Sequence, residues 1–191
     1  MSFVLLYLLI QLMPIIHLKC FFLIPTIILC GDSAGGNLAA SLAHSNRNAD
    51  LLGSVLIYPG LGGNMDAGSY LRHAEAPMLT RDDILFYHDI RGPLALNDVR
   101  AAPLLDTDFA GLPPTLTIAA ECDPLADDAR AYRDRILDAG GVAICVEEPG
   151  LVHGYLRARH SVPRATSSFA RIAKALNAMA ARTPISEINL L

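Results

Sequence analysis

The chain has 191 residues, of which 52% are hydrophobic, 18% charged and 6% aromatic, enough for one sizeable core and short for two. Fifteen Lys and Arg against nineteen Asp and Glu leave a formal net charge of -4, without the basic stripe that neutralising the phosphates of a nucleic acid requires. Fourteen glycines and twelve prolines are near average usage, which excludes a collagenous or low-complexity chain.

Residues 1–24 differ in composition from the rest. Nineteen of them are hydrophobic, and Lys19 is their one formal side-chain charge. No basic stretch precedes the apolar residues 3–10 and no small-residue cleavage site follows them, so they do not read as a secretory signal. Residues 1–18 are slightly short of the ~20 apolar residues of a spanning helix and contain Gln11 and Pro14, whereas a stretch extended through Ile24 is long enough. Three readings stand: an atypical apolar segment packed as a helix or added strand on the domain at residues 25–191, a membrane-directed anchor, or a misread or truncated gene start.

The main elements follow in chain order. Thr26-Ile27-Ile28-Leu29-Cys30 is short, apolar and β-branched, as expected of a strand buried on both faces of a parallel sheet. Residues 54–58, 115–119 and 142–146 repeat that pattern. Helices are predicted at 37–44, 80–89, 124–139 and 165–181. The clearest is 124–139, with Pro124 in the first turn, Asp127 and Asp128 near the positive helix end, and Gly140-Gly141 stopping it. Strands alternating with helices predict an α/β fold with a mostly parallel sheet, whose sites lie beyond the carboxyl ends of the strands. Cys20, Cys30, Cys122 and Cys145 lie in apolar surroundings without zinc or Cys-x-x-Cys spacing; buried reduced thiols and a cytoplasmic setting are expected.

Directly after the first strand comes Gly31-Asp32-Ser33-Ala34-Gly35-Gly36 and an Ala/Leu-rich stretch. Gly-x-Ser-x-Gly between strand and helix presents a serine on a strained turn, with Gly31 and Gly35 leaving room for strand and helix to approach. An anion site on helix amides is the alternative, although no Lys follows to complete a P-loop. A serine nucleophile needs a base, and the base needs a partner that fixes its tautomer. In the order Ser, acid, His, Asp123 follows the third strand and His153 the fourth, between Leu151-Val152 and Gly154. Asp123 also suits a helix cap. His17, His44, His73, His88 and His160 lie in apolar or helix-like segments and read as surface or packing residues.

Gly31-Asp32-Ser33-Ala34-Gly35-Gly36-Asn37-Leu38-Ala39-Ala40, Leu56-Ile57-Tyr58-Pro59, Ala102-Pro103-Leu104-Leu105, Gly111-Leu112-Pro113-Pro114-Thr115, Cys122-Asp123-Pro124-Leu125 and Gly150-Leu151-Val152-His153-Gly154-Tyr155 together resemble the hormone-sensitive-lipase-like carboxylesterases of the α/β-hydrolase superfamily over residues 26–180. The resemblance implies hydrolysis of short to medium acyl esters without cofactor or metal, with Ser33 as nucleophile, Asp123 as acid and His153 as base. It also implies a cap contribution from residues 61–98, with Pro77, Met78, Leu79, Phe86 and Tyr87 as cap or acyl-pocket candidates. The family's His-Gly-Gly-Gly upstream of the serine is absent. Gly60-Leu61-Gly62-Gly63 follows the serine and does not carry that role, so the Ala34 amide is the one oxyanion donor inferred.

The expectation is therefore a partial α/β-hydrolase fold, its N-terminal strands missing, acting on a small-molecule ester at reduced rate. The rival is an inactive truncated hydrolase that binds a small apolar ligand or self-associates through an exposed sheet edge.

Overall fold

The computed structural model describes residues 27–47, 49–92 and 98–189. Residues 1–24 fall outside that set, and so do the packing, membrane and gene-start readings attached to them. Among the described residues, no helix is long and apolar enough to cross a membrane.

Four strands, β1 (Ile27–Asp32), β2 (Leu51–Ile57), β3 (Thr115–Cys122) and β4 (Ala143–Val152), form a wholly parallel sheet in the order β1-β2-β3-β4. Helix α1 (Ala34–Ser45) joins β1 to β2, and α4 (Ala126–Asp138) joins β3 to β4. The long β2-to-β3 connection contains α2 (Gly68–Arg72) and α3 (Arg81–Arg91), and α5 (Pro163–Ala180) follows β4. Right-handed crossovers between strands added in one direction leave their helices on a single face. That face is Leu29 and Leu56 packed on Ala39, Ala40, Ala43, Tyr132 and Ile136. The opposite face, with Val55, Ile57, Leu116 and Ile118, is covered by Ile172, Ala175 and Met179 of α5.

Local chemistry explains the element ends. Thr80 caps α3 in a capping box with Asp83, each side chain bonding the other's backbone N–H. Pro163 opens α5 where its missing N–H costs nothing. α4 begins at Ala126, two residues after Pro124, because Asp123 Oδ1 accepts the Leu125 N–H and holds the intervening turn.

Two expectations about the strands need correction. β1 and β4 are the outer strands of the described sheet, so neither is buried on both faces. Cys30 is exposed and Ile27 and Ile28 are half-buried, and in β4 Ile144, Cys145 and Val146 are half-buried and Glu147, Pro149 and Gly150 exposed. β4 also runs six residues past the predicted end, through Glu147, Glu148, Pro149 and Gly150, a string of turn and polar residues that pairing with β3 holds extended. Of the cysteines, Cys30, Cys122 and Cys145 are free, and none is fully buried; Cys20 lies outside the described residues.

Candidate active site

The carboxyl ends of all four strands contribute to one place. Asp32 of β1 is level with Ile57 of β2, and Cys122 of β3 with Val152 of β4, so Ser33, Tyr58, Asp123 and His153 each leave their strand at the same sheet edge. The backbone is pinned there: the Ser33 N–H donates to the Ile57 carbonyl at 2.9 Å and the Tyr58 N–H to Ile118 at 2.7 Å.

Ser33 has φ 53° and ψ -120°, a positive-φ conformation that costs a non-glycine residue of order 1–3 kcal/mol. It lies between the last residue of β1 and the first of α1, and the sharp reversal raises its side chain above the sheet. The glycines that permit the reversal are partly other than expected. A β-carbon on Gly31 would overlap the backbone of Gly35, and one on Gly36 would come within 2.9 Å of the Pro59 side chain. A β-carbon on Gly35 meets nothing within 4 Å. Gly31 and Gly36 therefore provide the close approach, and Gly35 contributes backbone to it.

Ser33 Oγ is 2.8 Å from His153 Nε2, and His153 Nδ1 is 2.7 Å from Asp123 Oδ2. Asp123 is fully buried and His153 8% exposed. The second Asp123 oxygen accepts the Leu125 N–H at 2.9 Å, so the acid is held from both sides. The Tyr58 ring packs edge-on against His153, centroids 4.9 Å apart, and against Tyr155 at 5.2 Å. Its hydroxyl donates to Asp32 Oδ2 at 3.1 Å. Burial, then the Asp32 charge, pushes its pKa well up, which keeps that hydroxyl a donor. The structure thus brings together the three residues singled out from sequence.

Above Ser33 lies a cavity of about 580 Å³ lined by Ser33, Ala34 and Asn37 of the turn and α1, by Gly60, Gly62 and Gly63 after β2, and by side chains of α2 and α3. Leu79 and Tyr87 line it as expected, whereas Pro77, Met78 and Phe86 do not and are exposed at the surface. His88, read as a surface or packing residue, lines the cavity together with Arg91. Ala34, as the first residue of α1, has an N–H with no carbonyl four residues earlier in the helix.

Of the glycines after β2, Gly62 and Gly63 direct their amides to Asp128. Asp128 Oδ2 accepts from Leu61 N–H at 2.6 Å, Gly63 N–H at 3.3 Å and Tyr70 O–H at 3.0 Å, and the Gly62 amide also bonds the carboxylate. Burial pushes the Asp128 carboxyl up to about 6, against the pull of these donors. Next to it, Asp127 accepts from Ser69 N–H at 2.7 Å, and Ser69 Oγ donates to the Pro124 carbonyl at 2.6 Å. The loop that carries Asp123 is thereby tied to α2 and to the cavity rim.

The chain matches the sequence model of the alpha/beta hydrolase fold over residues 24–157, a stretch containing all four strands and Ser33, Asp123 and His153. It is 35% identical over 155 residues to carboxylesterase NlhH of Mycobacterium tuberculosis, covering 76% of this chain and 48% of that protein. It is 34% identical over 149 residues to esterase LipI of the same organism, covering 74% and 46%. Among solved structures, the hyperthermophilic esterase of the archaeon Pyrobaculum calidifontis aligns with a TM-score of 0.75 at 30% identity, covering 81% of this chain and 53% of that one. The chain spans about half the length of the curated relatives it matches. With the parallel sheet, the strand-turn-helix serine and the family match across the whole sheet, the chain belongs to the alpha/beta hydrolase fold family.

Proposed function

We propose that the chain hydrolyses carboxylic esters of short to medium acyl length through an acyl-enzyme. Ser33 is the nucleophile, His153 the proton shuttle and Asp123 the residue that orients His153. The observation that carries this reading is the pair of hydrogen bonds from Ser33 Oγ to His153 Nε2 and from His153 Nδ1 to Asp123 Oδ2, at the floor of the cavity. The carboxylesterase relatives support it.

With Nδ1 protonated toward Asp123, Nε2 carries the lone pair that takes the Ser33 proton as Oγ attacks the ester carbonyl. The negative charge that develops on the carbonyl oxygen faces the Ala34 amide and the positive end of α1. Collapse of the tetrahedral species breaks the bond to the alcohol, which leaves with the proton from Nε2. Water then gives a proton to Nε2 and attacks the acyl group, and the acid departs as Oγ recovers its proton. Asp123 remains ionised throughout.

The strength of the reaction follows from the donors. Loss of one oxyanion donor commonly costs roughly 100- to 1000-fold in kcat. The Gly62 and Gly63 amides after β2 are engaged with Asp128, so among the described residues this reading assigns the donor role to Ala34. Activated short-chain esters, whose leaving groups demand little protonation, are therefore the expected substrates. The same proposal makes residues 61–98 part of a cap, and a cytoplasmic setting fits the free thiols Cys30, Cys122 and Cys145.

The test is hydrolysis of p-nitrophenyl acetate together with labelling by a fluorophosphonate, read by mass spectrometry. Turnover that vanishes in Ser33→Ala and a label on Ser33 are expected. Turnover unchanged in Ser33→Ala would sink the assignment.

A further inference from the structure

The cavity lining mixes apolar side chains, among them Met65, Leu79, Ile84 and Leu125, with the polar side chains of Asn37, His88 and Arg91; Ile84, His88 and Arg91 follow one another along one face of α3. Arg91 is the last residue of α3. Its Nη2 donates to Asn37 Oδ1 at 3.3 Å and its Nη1 to the Ala101 carbonyl at 3.5 Å. Both acceptors are neutral, and both distances are long for a guanidinium, whose bonds to a carboxylate shorten to ~2.7–2.9 Å.

Arg135, Arg159 and Arg164 also bond only carbonyl oxygens, but Arg91 is the arginine of the cavity lining. Arg47, Arg81, Arg100 and Arg130 each reach an Asp or Glu. No such pair involves Arg91 among the described residues, and those residues include every Asp and Glu of the chain, since 1–26, 48, 93–97 and 190–191 contain none. The cavity lining holds no carboxylate either. Asp123 is committed to His153, and Asp128 to the amides after β2 and Tyr70. His88 adds little positive charge, because burial, then the neighbouring Arg91, lowers its pKa. The result is a cavity with one cation on its lining, the exposed Arg91, that no carboxylate pairs.

The cation is also well placed. Asn37 lies one helical turn, ~5.4 Å, beyond Ser33, and its N–H donates to the Ser33 carbonyl at 3.1 Å. Its side-chain amide is clamped by donation to the Gly60 and Ala101 carbonyls at 2.7 and 2.8 Å. Arg91 is thus seated one turn plus one hydrogen bond from the serine, against a rigid partner.

We infer that the preferred substrate is an ester bearing a second, ionised carboxylate, such as a half-ester of a linear dicarboxylic acid, with that carboxylate on Arg91 and the ester carbonyl at Ser33. This rests on the reading of the cavity as the ester site. An incoming carboxylate replaces two weak neutral contacts with a charge-assisted, bidentate one. The apolar lining residues Met65, Leu79, Ile84 and Leu125 receive the intervening methylenes.

The experiment separates binding from turnover by using the full chain with Ser33→Ala. Dissociation constants for monoethyl adipate and for ethyl hexanoate are measured by NMR titration at low ionic strength, with Arg91 and with Arg91→Gln or Arg91→Lys. The half-ester is expected to bind about 5- to 10-fold tighter than the neutral ester. That ratio should fall toward one in Arg91→Gln and in 0.5 M salt, and persist in part in Arg91→Lys. A ratio that is the same with Arg91 and Arg91→Gln overturns the inference, as does failure of both esters to bind at millimolar concentration. Failure of the Ser33 chain to hydrolyse any ester, with the binding ratio intact, overturns the esterase reading and leaves Arg91 as a carboxylate-binding residue.

Discussion

The α-carbon of Gly31 lies against the backbone of Gly35, leaving no space for a β-carbon on Gly31, although Gly35 itself has open space on its own side. The two glycines of the same motif are therefore not equivalent. Gly31→Ala must push β1 away from α1 and disturb the turn at Ser33. The expected cost is several kcal/mol, comparable to other severe overpacking. Gly35→Ala is expected to change stability by less than about 1 kcal/mol, gaining helix propensity without a clash. Urea unfolding of the two variants checks this; equal stabilities would refute it.

The buried Asp128 makes a pH prediction. Its folded pKa of about 6 lies above the value near 3.9 of an unfolded Asp. The folded state therefore binds the proton more tightly, and stability from this site is fully present below about pH 4 and lost as pH rises through about 6. Asp128→Asn lacks that slope. The stability difference, wild type minus variant, should fall by on the order of 2 to 3 kcal/mol between pH 4 and pH 7. Denaturation at three or four pH values measures it, and a difference that grows with pH would contradict the burial argument.

For the hydrogen-bonded pair behind the serine, Asp123→Asn is expected to lower kcat by roughly 1,000- to 10,000-fold, because an amide can present its N–H to Nδ1 and favour the wrong imidazole tautomer. Fluorophosphonate labelling of Ser33 should slow in parallel. Unchanged labelling with Asp123→Asn would show that the acid does not govern Ser33.

Tyr58 separates packing from hydrogen bonding. Tyr58→Phe keeps the ring against His153 and loses the bond to Asp32, with an expected cost of about 1 kcal/mol. Tyr58→Ala removes a fully buried ring and should cost about 3–5 kcal/mol. It should also slow ester turnover more than Tyr58→Phe does, since His153 loses its wall. Equal turnover in the two variants would mean that the ring does not position the imidazole.

Most of the frame is legible in the amino-acid sequence. Four short β-branched runs became four parallel strands, because that composition suits little else, and the order Ser33, Asp123, His153 identified three residues that meet within hydrogen-bond distance. The resemblance to carboxylesterases was matched by relatives such as NlhH. The cavity was less legible. Asn37 reads as helix interior and Arg91 as an ordinary cation at a helix C-terminus; only the packing of α3 beside α1 shows that they touch. Phe86 and Tyr87 are neighbours in sequence, yet only Tyr87 lines the cavity, because successive residues of a helix point about 100° apart. β4 overran its predicted end because pairing with β3 outweighs the turn propensity of Pro149 and Gly150.

Three carboxylates in six residues, Asp123, Asp127 and Asp128, hold three different structures: the imidazole, the start of α2, and the backbone after β2. The turn at Asp123 and the first residues of α4 are thus shared between the His153 imidazole and the elements that border the cavity. The hydrogen bonds of residues 123–128 link α2, which borders the cavity, to the residue that holds the His153 imidazole. For the proposed ester reaction, an acyl chain long enough to press on α2 is therefore expected to slow acylation as well as weaken binding.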